Sequence, residues 1–269
     1  MYNLIIGGLA AILYVATGSL LGLRLSHAGA GKVWSKAGLL AIGGCAVLLH
    51  AAILAPSVLR PEGMNLGFFN ALSVSGWLTA VVLLVTALFR PVENLGIILF
   101  PFSAASVMPA LLFPSERIVV DSGRWPLEIH ILIAILAYSI LALAAVQAVL
   151  LAIQDRRLHS RHPGGFIRGI PPLITMETLL FQMISIGFIL LSLTLISGFL
   201  FLEDIFAQHL VHKTVLSIAA WIVFGILLWG RWRFGWRGRT AIRWTLSGFM
   251  ALVLAYFGSK LVLELILRR

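Results

Sequence analysis

Apolar residues fall along this chain in eight long runs separated by short polar connections: Leu4–Leu23, Ala37–Ala55, Gly67–Leu88, Leu95–Phe113, Leu127–Ile153, Thr178–Leu202, Thr214–Gly230 and Trp244–Ile266. Each is close to or above the roughly 20 residues a membrane-spanning helix requires. The runs are continuously apolar. A spanning strand would alternate, so the pattern excludes a β-barrel. In lipid the backbone must satisfy its own hydrogen bonds, which leaves helices as the spanning element. The pattern predicts an all-α, polytopic membrane helix bundle of about eight transmembrane helices, residues 1–269 forming one domain.

Composition agrees: 60% of the 269 residues are hydrophobic and 11% are charged. A soluble domain carries about 25% charged residues. The net charge of +10 does not indicate nucleic acid, because the basic residues lie in the connections between apolar runs. Alternate connections hold thirteen lysines and arginines against six. That bias places the basic connections in the cytoplasm and both termini outside. No Lys or Arg precedes Arg24, so the first run is predicted to be an uncleaved span rather than a signal peptide. The expected location is the inner (plasma) membrane of a bacterium, with lipid as a constant partner. The Pro- and Gly-containing stretch from Asp155 to Glu177 is predicted to be the longest loop. The basic and aromatic segment Trp229–Arg239 reads as a hairpin anchored at lipid headgroups. Lys260 and Glu264, four apart, can pair along the last span.

Chemistry is sparse. There is no HExxH, Walker loop, GxSxG or CxxC, and no pair of intramembrane carboxylates. The lone Cys45 is expected to be a small core residue. Histidine is the informative type. His27, His159 and His162 fall in cytoplasmic connections, whereas His50, His130, His209 and His212, from three separate segments, share a level toward the outer face. Imidazole ligates heme iron and several transition metals. A histidine at a helix end commonly bonds only a headgroup or a carbonyl. His50 lies deeper, where a polar side chain is costly and a functional candidate by default.

Several segments carry a resemblance to a known family: His130-Ile-Leu-Ile-Ala-Ile-Leu-Ala-Tyr-Ser, His212-Lys-Thr-Val-Leu-Ser-Ile-Ala-Ala-Trp221, Gly235-Trp-Arg-Gly-Arg239 leading to Ala255-Tyr-Phe-Gly258, and Asn70-Ala-Leu-Ser with Trp77. They resemble the cytochrome c assembly proteins of the CcsA, CcmC and HemX type, most nearly the HemX/YpjD-like branch. The resemblance implies a heme-binding protein of cytochrome c biogenesis. It would hold non-covalent b-type heme near the outer leaflet, with His50, His130 and His212 as candidate axial ligands and His209 as a further one. Its work would be binding, transfer or regulation of heme rather than bond-making. Family members that present heme to apocytochrome carry a tryptophan-rich WWD segment. The corresponding connection here, Glu203–Val211, has no tryptophan. The alternative is a non-heme accessory or scaffold subunit of a membrane transport complex, with another membrane protein as partner. A small-molecule or ion transporter is disfavoured by the scarcity of intramembrane charge.

Overall fold

The computed structural model describes residues 2–26, 34–114, 118–121, 125–159, 169–201, 211–258 and 261. Its eight long helices are α1 (Tyr2–Ser26), α2 (Lys36–Val58), α3 (Phe68–Phe89), α4 (Gly96–Leu112), α5 (Trp125–His159), α6 (Leu173–Phe201), α7 (Val211–Phe234) and α8 (Arg239–Val253). A 3-10 turn, Glu93–Leu95, leads into α4, and a π-helical turn, Leu254–Gly258, continues α8. With these extensions all eight helices are long and apolar enough to cross a membrane. His209, the pair Lys260 and Glu264, and the side chains of His27, His159 and His162 lie outside the described residues.

The spans match the apolar runs, but several helices are longer. Apolarity marks only the part of a helix that lies in lipid, whereas capping and hydrogen bonding decide where the helix stops. So α5 continues to His159 and α6 begins at Leu173, which takes five residues from each end of the predicted Asp155–Glu177 loop. Likewise α7 ends at Phe234 and α8 starts at Arg239. Between them Gly235 takes a left-handed conformation (φ 66°) and its N–H bonds Arg231 O at 3.1 Å. This αL closure is a position glycine fills without a Cβ penalty. Trp236 folds back against Gly230 and lies 5.6 Å from Trp244. It is therefore part of the hairpin's own packing, while Trp232, 82% exposed, is the residue placed for lipid.

The helices form two rings with the same neighbour order. In the first half α1 packs on α2 and α4, and α3 packs on both of these. In the second half α5 packs on α6 and α8, and α7 packs on both. The halves meet chiefly along α3 and α5. Helices in lipid gain nothing from hydrophobic exclusion between them, so they need close backbone approach. Small residues provide it. A Cβ on Gly18 of α1 would lie 2.9 Å from Pro101 Cδ of α4 and 3.3 Å from Gly96 O. A Cβ on Gly76 of α3 would collide with Ser106 and lie 3.4 Å from Ser103 Cα of α4. Ser103 Oγ donates to Gly76 O at 2.8 Å across this contact. Cys45 faces out of the bundle, which corrects its assignment to the core: α2 is apolar all round, so hydropathy does not mark its inner face.

The two ends are closed differently. At the end away from the basic connections, three short antiparallel strands form a sheet in the order β1 (Leu59–Arg60), β2 (Gly63–Asn65), β3 (Ile118–Asp121). The Arg60-Pro61-Glu62-Gly63 turn has proline second and glycine fourth, both favoured in turns. These strands are too short to show in a hydropathy pattern. At the basic end Glu177, buried in α6, accepts the Gly238 N–H at 2.7 Å and so caps α8. Arg239 pairs with Asp155 at 3.2 Å, but its side chain is 67% exposed, and exposed pairs contribute little. The buried cap is the stronger tie.

Two stability predictions follow from this packing. Gly76→Leu should cost about 1–3 kcal/mol, the usual penalty for overfilling a packed contact, read as a lower midpoint of unfolding in detergent. Glu177→Ala should cost about 0.5–2 kcal/mol, the range for a lost N-cap, while Glu177→Gln, which keeps an acceptor oxygen, should lose much less. Equal losses for Ala and Gln would show that the cap is not what Glu177 contributes.

Candidate functional site

Three of the four candidate histidines lie within the described residues, and the structure gives each a different environment. His50 is eight residues before the end of α2, about 12 Å along the helix from that end. It is fully buried. Both ring nitrogens are hydrogen-bonded: Nδ1 to Tyr14 OH of α1 at 3.3 Å, and Nε2 to Ser73 Oγ of α3 at 2.8 Å. Phe100 stacks on Tyr14 at 5.9 Å and closes the cluster. A neutral imidazole with both nitrogens satisfied is tolerated in an apolar interior. His50 thus crosslinks three helices of the first half, and ligating a metal would require it to break one of these bonds.

His130 is in the second half, five residues into α5, about 8 Å from the helix start. It is half-buried. Its Nδ1 lies 2.8 Å from Ser197 Oγ of α6. Ser197 Oγ also lies 3.0 Å from Thr194 O, so its one hydroxyl proton has two acceptors within reach, that carbonyl and the imidazole. With that proton on Thr194 O, Nδ1 carries the imidazole proton and Nε2 the lone pair. The Thr194 backbone also bonds the ring. This is how proteins commonly hold a ligating histidine: one nitrogen fixed by an outer hydrogen bond, the other presented to the metal.

Beneath His130 the same face of α5 continues through Ala134 to Tyr138, at four-residue spacing. A cavity of about 100 Å³ lies there, lined by Ala134 and Tyr138 of α5, Ser75 of α3, Thr194 of α6, Ser217 of α7 and Tyr256 of the π turn, among others. Tyr138 is held by Phe249 and Phe257 at 5.3 and 5.4 Å. A π-helical turn is rare and often marks a functional position; here it brings Ala255 and Tyr256 to the cavity wall. The cavity is well below the roughly 300–1,000 Å³ of a typical ligand pocket. It has room for water-sized molecules and not for a porphyrin.

His212 is in the first turn of α7 and exposed. The described hydrogen bonds tie His50 and His130 to separate halves of the bundle and join neither to the other. Among the described residues no three His, Cys, Asp or Glu side chains gather in a way that could hold a metal ion. His130 and the exposed His212 are the candidates that could meet an iron centre most directly, whereas His50 would first have to give up a bond between helices. One imidazole would fill one axial position of a heme.

Sequence reasoning missed Tyr14, Ser73 and Ser197. Each lies in an apolar run, as His50 does, but with other hydroxyls close by: Thr17 near Tyr14, Ser75 near Ser73 and Thr194 near Ser197. Hydroxyls draw less notice because most bond back to their own helix, as Thr17 does to Leu13 O at 2.7 Å and Thr79 to Ser75 O at 2.6 Å.

Comparison with known proteins gives these residues a family. The family model described as "Cytochrome C assembly protein" matches residues 39–267. The chain is 33% identical over 227 residues to "Inner membrane protein YpjD" of Escherichia coli (strain K12), covering 82% of this chain and 84% of that one. It is 32% identical over 208 residues to an "Uncharacterized 28.8 kDa protein in nifR3-like 5'region" of Azospirillum brasilense, covering 74% of this chain and 77% of the other. No solved structure matches. The match takes in seven of the eight helices and both halves of the bundle, and by it the chain belongs to the cytochrome c assembly protein family.

Proposed function

We propose that this inner-membrane protein handles heme as a cargo, binding it through His130 on the outer side of the bilayer. The eight spans and the inner-membrane relative support the location, and the excess of basic residues at the other end supports the direction. One observation carries the reading. Ser197 bonds His130 at Nδ1, and with the Ser197 proton on Thr194 O the imidazole keeps its lone pair on Nε2. A bound heme would supply an iron that accepts this nitrogen. Ser197 orients the imidazole and raises its basicity, and Thr194 O holds the hydroxyl in its accepting role. His212 is the proposed second donor, with His209 beside it in sequence. His50 serves mainly by pinning α1, α2 and α3.

A second reading has support of its own. The small cavity below His130 and the saturated ring of His50 suit an accessory or scaffold subunit that keeps the fold without the cargo.

Absorbance of the full-length protein purified in detergent separates the two. The heme reading expects a Soret band, or its appearance on adding hemin, and near-complete loss of that band in His130→Ala. Ser197→Ala should weaken heme affinity about 10–100-fold, the usual cost of losing an outer partner of a ligating histidine. A colourless protein that ignores hemin and copurifies with a stoichiometric membrane partner would establish the accessory role instead.

His50→Phe should keep the Soret band and lower the unfolding midpoint. The loss should be modest for each hydrogen bond, since such bonds in membrane proteins average about 0.6 kcal/mol and reach about 1.7. If His50→Phe abolished the band while leaving stability intact, His50 would be the ligand.

A further inference from the structure

A groove of about 590 Å³ lies at the basic end of the bundle, remote from His130, in the seam between the two halves. Its walls are α3 and α6, and α5 forms its floor. On α3 the lining residues Val82, Thr86 and Arg90 follow at four-residue spacing, so they stack along one face. From Val82 to Arg90 the groove runs about 12 Å along the helix axis, close to half of the roughly 30 Å hydrocarbon core. It therefore has the depth of a single leaflet.

The chemistry of the walls changes along that length. At the basic end are two guanidinium groups, Arg90 at the C-terminus of α3 and Arg231 in the last turn of α7. Arg231 sits over the Phe181 ring at 4.6 Å and donates to Trp236 O at 3.2 Å, so its fork is held in place with donors to spare. Gln182, next to Phe181 on α6, adds an exposed amide. Farther in, the wall is apolar in effect. Thr86 Oγ1 is bonded to Val82 O at 2.7 Å and Ser185 Oγ to Phe181 O at 2.8 Å, which leaves methyl and methylene groups to face the groove. Ile186 on its rim is 51% exposed, so the groove opens sideways toward the bilayer.

From this gradient we infer that the groove is a site for an anionic phospholipid, its phosphate on Arg90 and Arg231 and an acyl chain lying between α3 and α6. A water-soluble anion has no use for 12 Å of apolar wall. A partner helix would not need two arginines at one end. A zwitterionic lipid fits the wall but carries an ammonium beside its phosphate, which two guanidinium groups disfavour. The occupancy of this groove is independent of what His130 binds. Its role would be to fill the seam along which the halves meet, making their docking sensitive to the acidic lipid content of that leaflet.

Native mass spectrometry of the full-length, delipidated protein tests this, by titrating phosphatidylglycerol against phosphatidylcholine of identical chains. A basic residue at an anionic lipid surface contributes about 1 kcal/mol, or about fivefold in affinity. Phosphatidylglycerol should bind about 25-fold more tightly than phosphatidylcholine. Arg90→Gln and Arg231→Gln should each remove about fivefold of that preference, and the double variant should lose it. Val82→Trp, which touches neither arginine, should reduce the binding of both lipids by filling the groove. Excess inorganic phosphate should displace neither. Equal binding of the two lipids, an undiminished preference in the double variant, or full occupancy in Val82→Trp would overturn the assignment. So would displacement by phosphate alone, or recovery of a Soret-absorbing dianion from this groove that Arg90→Gln removes.

Discussion

Within the bilayer core no water is present to bond an exposed polar group, so each must find its partner inside the protein. The architecture depends on that constraint. It forces the backbone into eight helices, and it sends hydroxyls back to their own helix, as at Thr17, Thr79, Thr86 and Thr245. Groups whose shape forbids that solution must reach a neighbour. The Trp77 indole donates to Val47 O, the Trp221 indole to Ser192, and the two membrane histidines bond across helices. Each such bond contributes well under 2 kcal/mol. They therefore set which helices meet and at what register, while the bulk of the cohesion comes from close packing at Gly18, Gly76 and their neighbours.

The same constraint explains what could be read in the sequence. Apolar runs are long because lipid is thick, so all eight spans were legible, as was the family. Helix ends were less so, because they are set by local caps. Nothing in hydropathy shows that Glu177, sixty-one residues away, accepts the Gly238 N–H and lets α8 start at Arg239. The inward face of a span was also hidden. Cys45 and Ala46 are equally apolar, yet one faces out and the other is fully buried. Of the site, the histidines themselves were legible, since a titratable group in an apolar run stands out. Their partners were not, because Ser73 and Ser197 look like any of the hydroxyls that bond back to their own helix.

The two ends divide the chemistry. At the basic end, charges, a buried cap and a left-handed glycine lock the α7–α8 hairpin to α5 and α6. At the other end a three-stranded sheet ties the α2–α3 connection to the one between α4 and α5. The sheet thus spans both halves where the helices leave the membrane. It complements the α3–α5 seam, the main route by which the halves touch. A ligand in the groove between α3 and α6 would act on that seam, whereas His130 ties α5 to α6 within the second half.

Depth alone does not tell a structural histidine from a functional one. His50 and His130 lie within about one helical turn of each other in distance from their helix ends, and each bonds a serine at 2.8 Å. What separates them is the fate of one proton. With the Ser197 proton on Thr194 O, His130 donates at Nδ1 and keeps a lone pair at Nε2. At His50 neither Tyr14 nor Ser73 is committed to another bond among the described residues. Either tautomer is satisfied there, and in both the ring is fully used. A histidine that can exchange tautomers between two hydroxyls works as a crosslink. A histidine whose serine partner can turn its proton to a carbonyl is the better oriented donor, and under the proposed heme reading it would hold an iron without giving up a bond between helices.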